Sequence, residues 1–323
     1  QDDDPSNDLT PAGAKRLFEY QARRAGNITK PDYSIDAGVG GPVPVIGKSL
    51  GNLRFFLAYN GNQNMYLAPL STDGYRDQVV SLRLTSEISP KIKLSINMLS
   101  KEISAASASG EGQPSYFTSI YGVAGIFGSN SQQSWKLLYP DYYCLTDISS
   151  NLYSAKITNL LSEKSFFEGI VEYSKTGYNT NPGPRRDTTL TDIFPGEAVY
   201  YSDEGPFGFD DGFTESIAGI FTMGLKSNAR DTSTTSRIKG KFDYTNQVNR
   251  YHQLKTGLQI EYVNYDMNYG SINPALPVGR PYSKWNRSPY QLGLYVQDKL
   301  EYEGWIATVG LRAEYFNPNT DWY

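Results

Sequence analysis

The stretch YQLGLYVQDKLEYEGWIATVGLRAEYF, residues 290–316, decides how the chain folds. It has no long apolar run, yet almost every second residue is apolar. Leu292, Leu294, Val296 and Leu300 fall on one parity, and Gln291, Gly293, Tyr295, Gln297, Lys299 and Glu301 on the other. After Glu303-Gly304 the pattern restarts. Trp305, Ala307, Val309, Leu311, Ala313 and Tyr315 share a side opposite Thr308, Gly310, Arg312 and Glu314. Strand side chains alternate with a period of two, so the segment reads as a hairpin with one apolar and one polar face. A soluble sandwich and a membrane-spanning barrel both produce that pattern. The rest of the chain has to choose between them.

The same hairpin recurs. Tyr33, Ile35, Ala37 and Val39 precede GPVPVIGKSLGN and a strand starting at Leu53. Val80, Leu82 and Leu84 are followed by Ile92, Leu94, Ile96 and Met98. Tyr153, Ala155 and Ile157 are followed by Phe167, Gly169, Val171 and Tyr173. Ile238, Gly240, Phe242 and Tyr244 are followed by Leu254, Leu258, Ile260 and Tyr262. The quoted stretch is the fifth pair. That makes about ten strands, mostly of the nine to eleven residues that a tilted strand needs to cross a bilayer. Short turns lie within the pairs and long polar connections between them, notably 100–151 and 179–236. Two connections of that length without structure of their own are foreign to a sandwich. Short turns at one end and long loops at the other suit an outer-membrane barrel. The expected fold is therefore all-β, a transmembrane antiparallel barrel wall. The Leu292 face meets lipid and the Gln291 face a wet lumen. Asp298 breaks the apolar parity near the Glu303-Gly304 turn, where a membrane interface makes a charge cheap.

The composition agrees. Of 323 residues, 39% are hydrophobic and 26 are Tyr, and the mean hydropathy is −0.50. No run approaches the length of a spanning helix. A barrel tolerates the low average, because half of each strand is polar. Tyr suits rims where one end is wet and the other is not. The net charge of −4 argues against a nucleic-acid partner. The one cysteine, Cys144, has no partner for an intramolecular disulfide and reads as a tolerated loop residue.

Several stretches resemble TonB-dependent outer-membrane receptors. KPDYSIDAGVGGPVP followed by NLRFFLAYNG is similar to the beginning of their barrel, where a Gly-Gly-Pro turn precedes an aromatic strand. LGLYVQDKLE followed by WIATVGLRAEYFNPNTDW is similar to a mid-barrel hairpin of the same family. The resemblance covers most of the chain from about Lys30 onward. It implies a barrel of about 22 strands with a plugged lumen. It also implies a plug domain of the same protein, the TonB complex and surrounding lipid as partners, and an imported solute as ligand. No plug is legible here. The expectation is a connector at 1–30 and a partial barrel at 31–323, an internal piece of such a receptor in the outer membrane of a Gram-negative cell. Two alternatives stand beside it: a complete ten-stranded barrel with a structural or adhesive role, and a soluble carbohydrate-binding β protein whose apolar parity is a core.

Searching for chemistry leaves little. GPVPVIGKS has five residues where a phosphate loop needs four, Pro42 where its first Gly belongs, and no following helix. The only histidine, His252, lies near a short turn, on the wrong side for an outer-membrane protease of the omptin type. No enzyme and no cofactor is expected. Asp203, Glu204, Asp210 and Asp211 form a weak calcium candidate without EF-hand spacing; a solvated acidic loop is the alternative. The outer connections carry the aromatics Trp135, Tyr139, Tyr142, Tyr143, Tyr200, Tyr201, Phe207 and Trp285, which give contact area at low entropy cost. With Arg185 and Arg186 as an anion contact, they are the candidate solute-binding residues, although each could instead pack its own loop. Lumen-facing Lys239, Lys241, Lys255, Glu261, Arg312 and Glu314 could line a passage, hold a plug, or form a static polar network.

Overall fold

The structure is a computed structural model that describes residues 11–12, 15, 27–67, 70–107, 119–128, 143–181, 191–194, 199–202, 214–215, 220–222, 229–271 and 282–320. Its strands are β1 (Tyr33–Pro42), β2 (Arg54–Met65), β3 (Gly74–Ser89), β4 (Ile92–Ser107), β5 (Cys144–Ser162), β6 (Ser165–Asn181), β7 (Thr191–Phe194), β8 (Val199–Ser202), β9 (Thr214–Glu215), β10 (Ile220–Thr222), β11 (Ala229–Asp231), β12 (Thr234–Gln247), β13 (His252–Ser271), β14 (Tyr282–Arg287), β15 (Tyr290–Tyr302) and β16 (Trp305–Asn317). A helix, α1 (Ile120–Gly128), lies between β4 and β5.

Twelve strands form one antiparallel sheet. Ten are long, as the alternation predicts. The other two continue their neighbours: β11 and β12 both bridge β6 and β13 across a break at Thr232-Ser233, and β14 and β15 both pair with β13 across a break at Ser288-Pro289. Pro289 lacks the amide hydrogen that a continuous ladder would need. All five expected hairpins are present. At the fifth, Glu303 (φ 40°) and Gly304 (φ 87°) form a two-residue turn with both residues left-handed, whose twist matches that of the strands it joins.

Register turns the sequence parity into a surface. One row of directly paired residues reads Val39, Leu57, Leu82, Met98, Tyr153, Tyr173, Ile238, Tyr262, Tyr290. The next reads Phe55, Leu84, Ile96, Ala155, Val171, Gly240, Ile260, Leu292, Tyr315. Directly paired residues share a face, so these rows form one continuous apolar belt. The belt is exposed: Leu294 is 59% accessible, Val171 60% and Leu311 78%. No second layer covers it among the described residues. Among the described residues the buried apolar ones are Tyr66, Leu70, Ala105, Ala106, Tyr143 and Cys144. A sandwich buries its apolar face against another layer; among the described residues this sheet does not.

The belt slants across the register. On β1 its apolar residues run from Tyr33 to Val39, and on β16 from Trp305 to Tyr315, on opposite sides of the row that links Val39 to Asn317. The drift is about one residue per strand. With about 3.4 Å of rise per residue and about 4.8 Å between strands, that is a tilt of about 35°, the tilt of a closing barrel. The ten steps from Trp305 to Tyr315 span about 34 Å along the strand and about 28 Å after tilting, near the ~25 Å apolar band of an outer-membrane barrel. Aromatics mark both margins: Tyr153 and Tyr173 stack at 6.5 Å and Tyr290 and Tyr315 meet at 6.0 Å along one, while Tyr302 and Trp305 lie at the other.

Among the described residues β1 pairs only with β2, and β16 only with β15. The ten strands do not close on themselves, so the ten-stranded closed barrel is not what forms.

The strands also run further than expected at the end of the long connections. β4 reaches Ser107 and β5 begins at Cys144, so the connection is shorter than 100–151. The longest connection has structure of its own, a four-stranded sheet in the order β7-β8-β10-β9. Cys144 is not a loop residue; it opens β5 and is fully buried. Asp298 on the apolar face pairs with His252, Nδ1 to Oδ2 2.6 Å, beside the short turns. Both side chains share the belt face, so the hydrogen bond gives each a polar partner there.

Candidate functional site: a polar wall and an outer rim

The face opposite the belt is a polar wall, and its side chains are largely paired with each other. Glu168 accepts from Lys156 at 2.6 Å and from Thr158 at 3.1 Å. Arg237 lies between Glu172 (3.0 Å) and Glu261 (3.7 Å), one on each neighbouring strand. Asp243 is the most enclosed carboxylate, 5% exposed. It accepts a hydrogen bond from the Tyr295 hydroxyl at 2.5 Å and faces Lys241 at 2.9 Å and Lys255 at 3.6 Å. Tyr295 reaches it over Gly257, which pairs directly with both residues. A Cβ at Gly257 would lie 2.3 Å from the Tyr295 ring and 2.7 Å from Asp243 Oδ1. Glycine is required there so that the ring can cross the strand. Arg312 pairs with Glu314 at 2.6 Å, and Lys299 with Glu301.

Of the six charged residues expected on this wall, Lys241, Lys255, Glu261, Arg312 and Glu314 thus have partners, and Lys239 has no carboxylate within ion-pair distance among the described residues. Half-exposed pairs of this kind contribute little stability. Their effect is to fix a hydrated, charge-balanced surface.

The outer rim is built at the other end of the strands. Tyr66, Leu70, Ala106 and Tyr143 form a small buried cluster, with Ile28, Tyr75 and Val123 packed against it. Ala106 N–H donates to the Tyr66 hydroxyl at 3.0 Å, and burial pushes the Tyr66 phenol up to about 12. Ser119 caps α1, accepting from Gly122 N–H at 3.0 Å. Val123 faces the cluster while Ile120 and Tyr121 are 79% and 90% exposed. The segment leading into β1 is tied to the same rim. Lys30 pairs with Asp73 at 3.0 Å, Gln63 donates to Pro31 O at 3.0 Å, and Met65 N–H donates to Asp32 at 2.6 Å.

Among the candidate solute-binding residues, Tyr143 is 5% exposed, part of the rim cluster. Trp285, on β14, is 38% exposed and packs at 6.3 Å on Tyr265. Tyr200 and Tyr201 lie on β8, in register with Ile220 and Phe221. Trp135, Tyr139, Tyr142, Arg185, Arg186 and Phe207 lie outside the described residues, as do the calcium candidates Asp203, Glu204, Asp210 and Asp211. No metal-holding cluster occurs among the described residues. The sequence reading missed Tyr121, the most exposed large aromatic of the rim; Ser119 before the apolar run at 120–127 was the available signal.

No family model matches the sequence, and no curated protein does. Solved structures do. The ferripyoverdine receptor of the outer membrane of Pseudomonas aeruginosa, bound to ferripyoverdine, superposes with a TM-score of 0.51 at 11% identity, over 89% of this chain and 36% of that one. The ferric yersiniabactin uptake receptor of Yersinia pestis gives 0.52 at 9%, over 90% and 41%. The unliganded ferric citrate transporter gives 0.50 at 12%, over 89% and 36%. At these identities the likeness is one of fold: the chain has the barrel-wall fold of TonB-dependent outer-membrane receptors. It spans well under half the length of the chains it matches.

Proposed function

We propose that this chain is part of the barrel wall of an outer-membrane receptor that takes up a scarce solute, coupled to the TonB complex. The observation that carries the reading is the slanted apolar belt across ten strands, backed by a charge-paired polar wall and ending in two unpaired edges. An unpaired edge exposes a row of backbone groups that cannot remain unsatisfied in hydrocarbon. β1 and β16 are therefore the seams at which further strands join, toward a barrel wide enough to hold a plug. Residues 31–323 are wall and residues 1–30 a connector; Lys30, Pro31 and Asp32 are anchored at the outer rim, where β1 begins.

We infer that solute contact falls to the outer rim and its connections: Trp285, Tyr200, Tyr201, Trp135, Tyr142, Phe207, Arg185 and Arg186. Burial restricts Tyr143 to shaping the rim. No bond in the solute is made or broken, so the wall needs no catalytic group. Its largely paired charges keep the lumen wet. The three superposed structures carry ferric chelates or citrate in their names, which makes ferric chelates the first solutes to test.

A deletion strain grown on defined iron and carbon sources tests this. The expected result is failure on one solute class, restored by the gene and lost again when TonB is removed. Wild-type uptake of every solute by the deletion strain, or uptake indifferent to TonB, would overturn it.

A further inference from the structure

We propose that the short-turn rim carries a binding site for one anionic glycerophospholipid of the inner leaflet. The site lies between the 43–53 turn and the ends of β3 and β4. The inference rests on the barrel-wall reading, because it takes the belt to face hydrocarbon.

The turn is pinned down. Val43 N–H donates to Leu53 O (2.9 Å), Leu53 N–H to Gly47 O (2.9 Å) and Glu87 N–H to Gly51 O (2.6 Å). The Ser86 hydroxyl donates to Leu50 O at 2.6 Å. Gly51 has φ 68°, and a Cβ there would meet Glu87 O at 2.5 Å. The turn therefore keeps its shape against β3, and it leaves a groove of about 420 Å³ beside the apolar belt. Leu50, Leu53, Leu84, Ile88, Leu94 and Ile96 line that groove. Leu50 and Ile88 are more than half exposed within it.

The groove continues into a polar cavity of about 790 Å³ at the strand ends; Ser49, Gly51 and Ile88 line both. Lys48 and Lys91, on the two turns, border this second cavity; Lys93 and Glu87, which also line it, lie directly opposite each other on the polar-wall side of β4 and β3. Neither Lys48 nor Lys91 has a carboxylate within ion-pair distance among the described residues, unlike most cations of the polar wall. An apolar slot opening into hydrocarbon, capped at headgroup depth by two ammonium groups, complements an acyl chain joined to a phosphate. A free anion would leave the slot empty. A zwitterionic lipid would leave the charge uncompensated.

The test uses the full-length protein extracted from outer membranes in mild detergent, with retained phospholipid measured by native mass spectrometry. The expected result is one tightly held phosphatidylglycerol-type lipid per protein. Charge reversal in Lys48→Glu/Lys91→Glu should lower its retention about tenfold. Leu94→Trp, which fills the groove and leaves the lysines, should lower it as well. Lys164→Glu, at the next short turn, should not. Equal retention in all variants, equal retention of a zwitterionic lipid, or no lipid on the wild-type protein would overturn the site while leaving the barrel reading intact. Absence of the protein from the membrane fraction would overturn both.

Discussion

Tyr66 shows what single residues contribute at the outer rim. Its phenol is buried, so the neutral form is favoured and its folded pKa of about 12 lies above the ordinary 10.0. A group raised in this way contributes stability fully below pH 10, and that contribution is lost as pH rises toward 12. Hydrogen exchange at Ala106 and Tyr143 should therefore accelerate between pH 10 and pH 12. Tyr66→Phe should flatten that dependence and cost about 1 kcal/mol by orphaning the Ala106 amide. On the polar wall, Gly257→Ala should cost about 1–3 kcal/mol by displacing the Tyr295 ring from Asp243. Adding Tyr295→Ala should recover part of that loss, since the two residues contend for one space. A thermal unfolding cycle of the full-length protein reads both numbers. The sequence could not rank these residues. Tyr143 and Trp285 look alike as aromatics near a long connection, and only packing buries one and leaves the other partly exposed. The His252–Asp298 pair was half legible: parity exposed Asp298 as an exception, but register was needed to find its partner 46 positions away.

At the scale of the element, alternation was enough. Each expected hairpin formed because one register alone places all its apolar residues on the belt, and a slip of one residue would put charges in hydrocarbon. The same logic sets the cost of substitution. Leu294→Arg, in the middle of the β15 belt face, should destabilise the protein by about 2–4 kcal/mol, whereas Gln297→Arg on the wall should stay within about 1 kcal/mol. Denaturant titration of the two variants in lipid vesicles checks this; equal effects would mean that β15 has no lipid side. Element ends were poorly legible. β4 and β5 run on to Ser107 and Cys144 because they keep pairing with each other in water beyond the belt, where polar sequence such as SKEIS carries no apolar alternation. The strands of the 191–222 sheet are two to four residues long, too short for periodicity to register.

For the whole molecule, the belt's drift of about one residue per strand matters most, because it links a sequence pattern to a barrel tilt without any reference to another protein. The drift was present in the sequence but unreadable there, since it is defined only against the pairing register. The unpaired edges of β1 and β16 make the same point: strand count was legible, closure was not. All of this depends on hydrocarbon bathing one side of the sheet and water the other. Spin labels placed one at a time from 291 to 300 in the full-length protein, in outer-membrane vesicles, measure that directly through relaxation by oxygen and by a water-soluble nickel chelate. The account predicts strict alternation, with oxygen dominating at 292, 294 and 296 and the nickel chelate at 291, 293, 295 and 297. Labels relaxed equally by the chelate on both parities would contradict it.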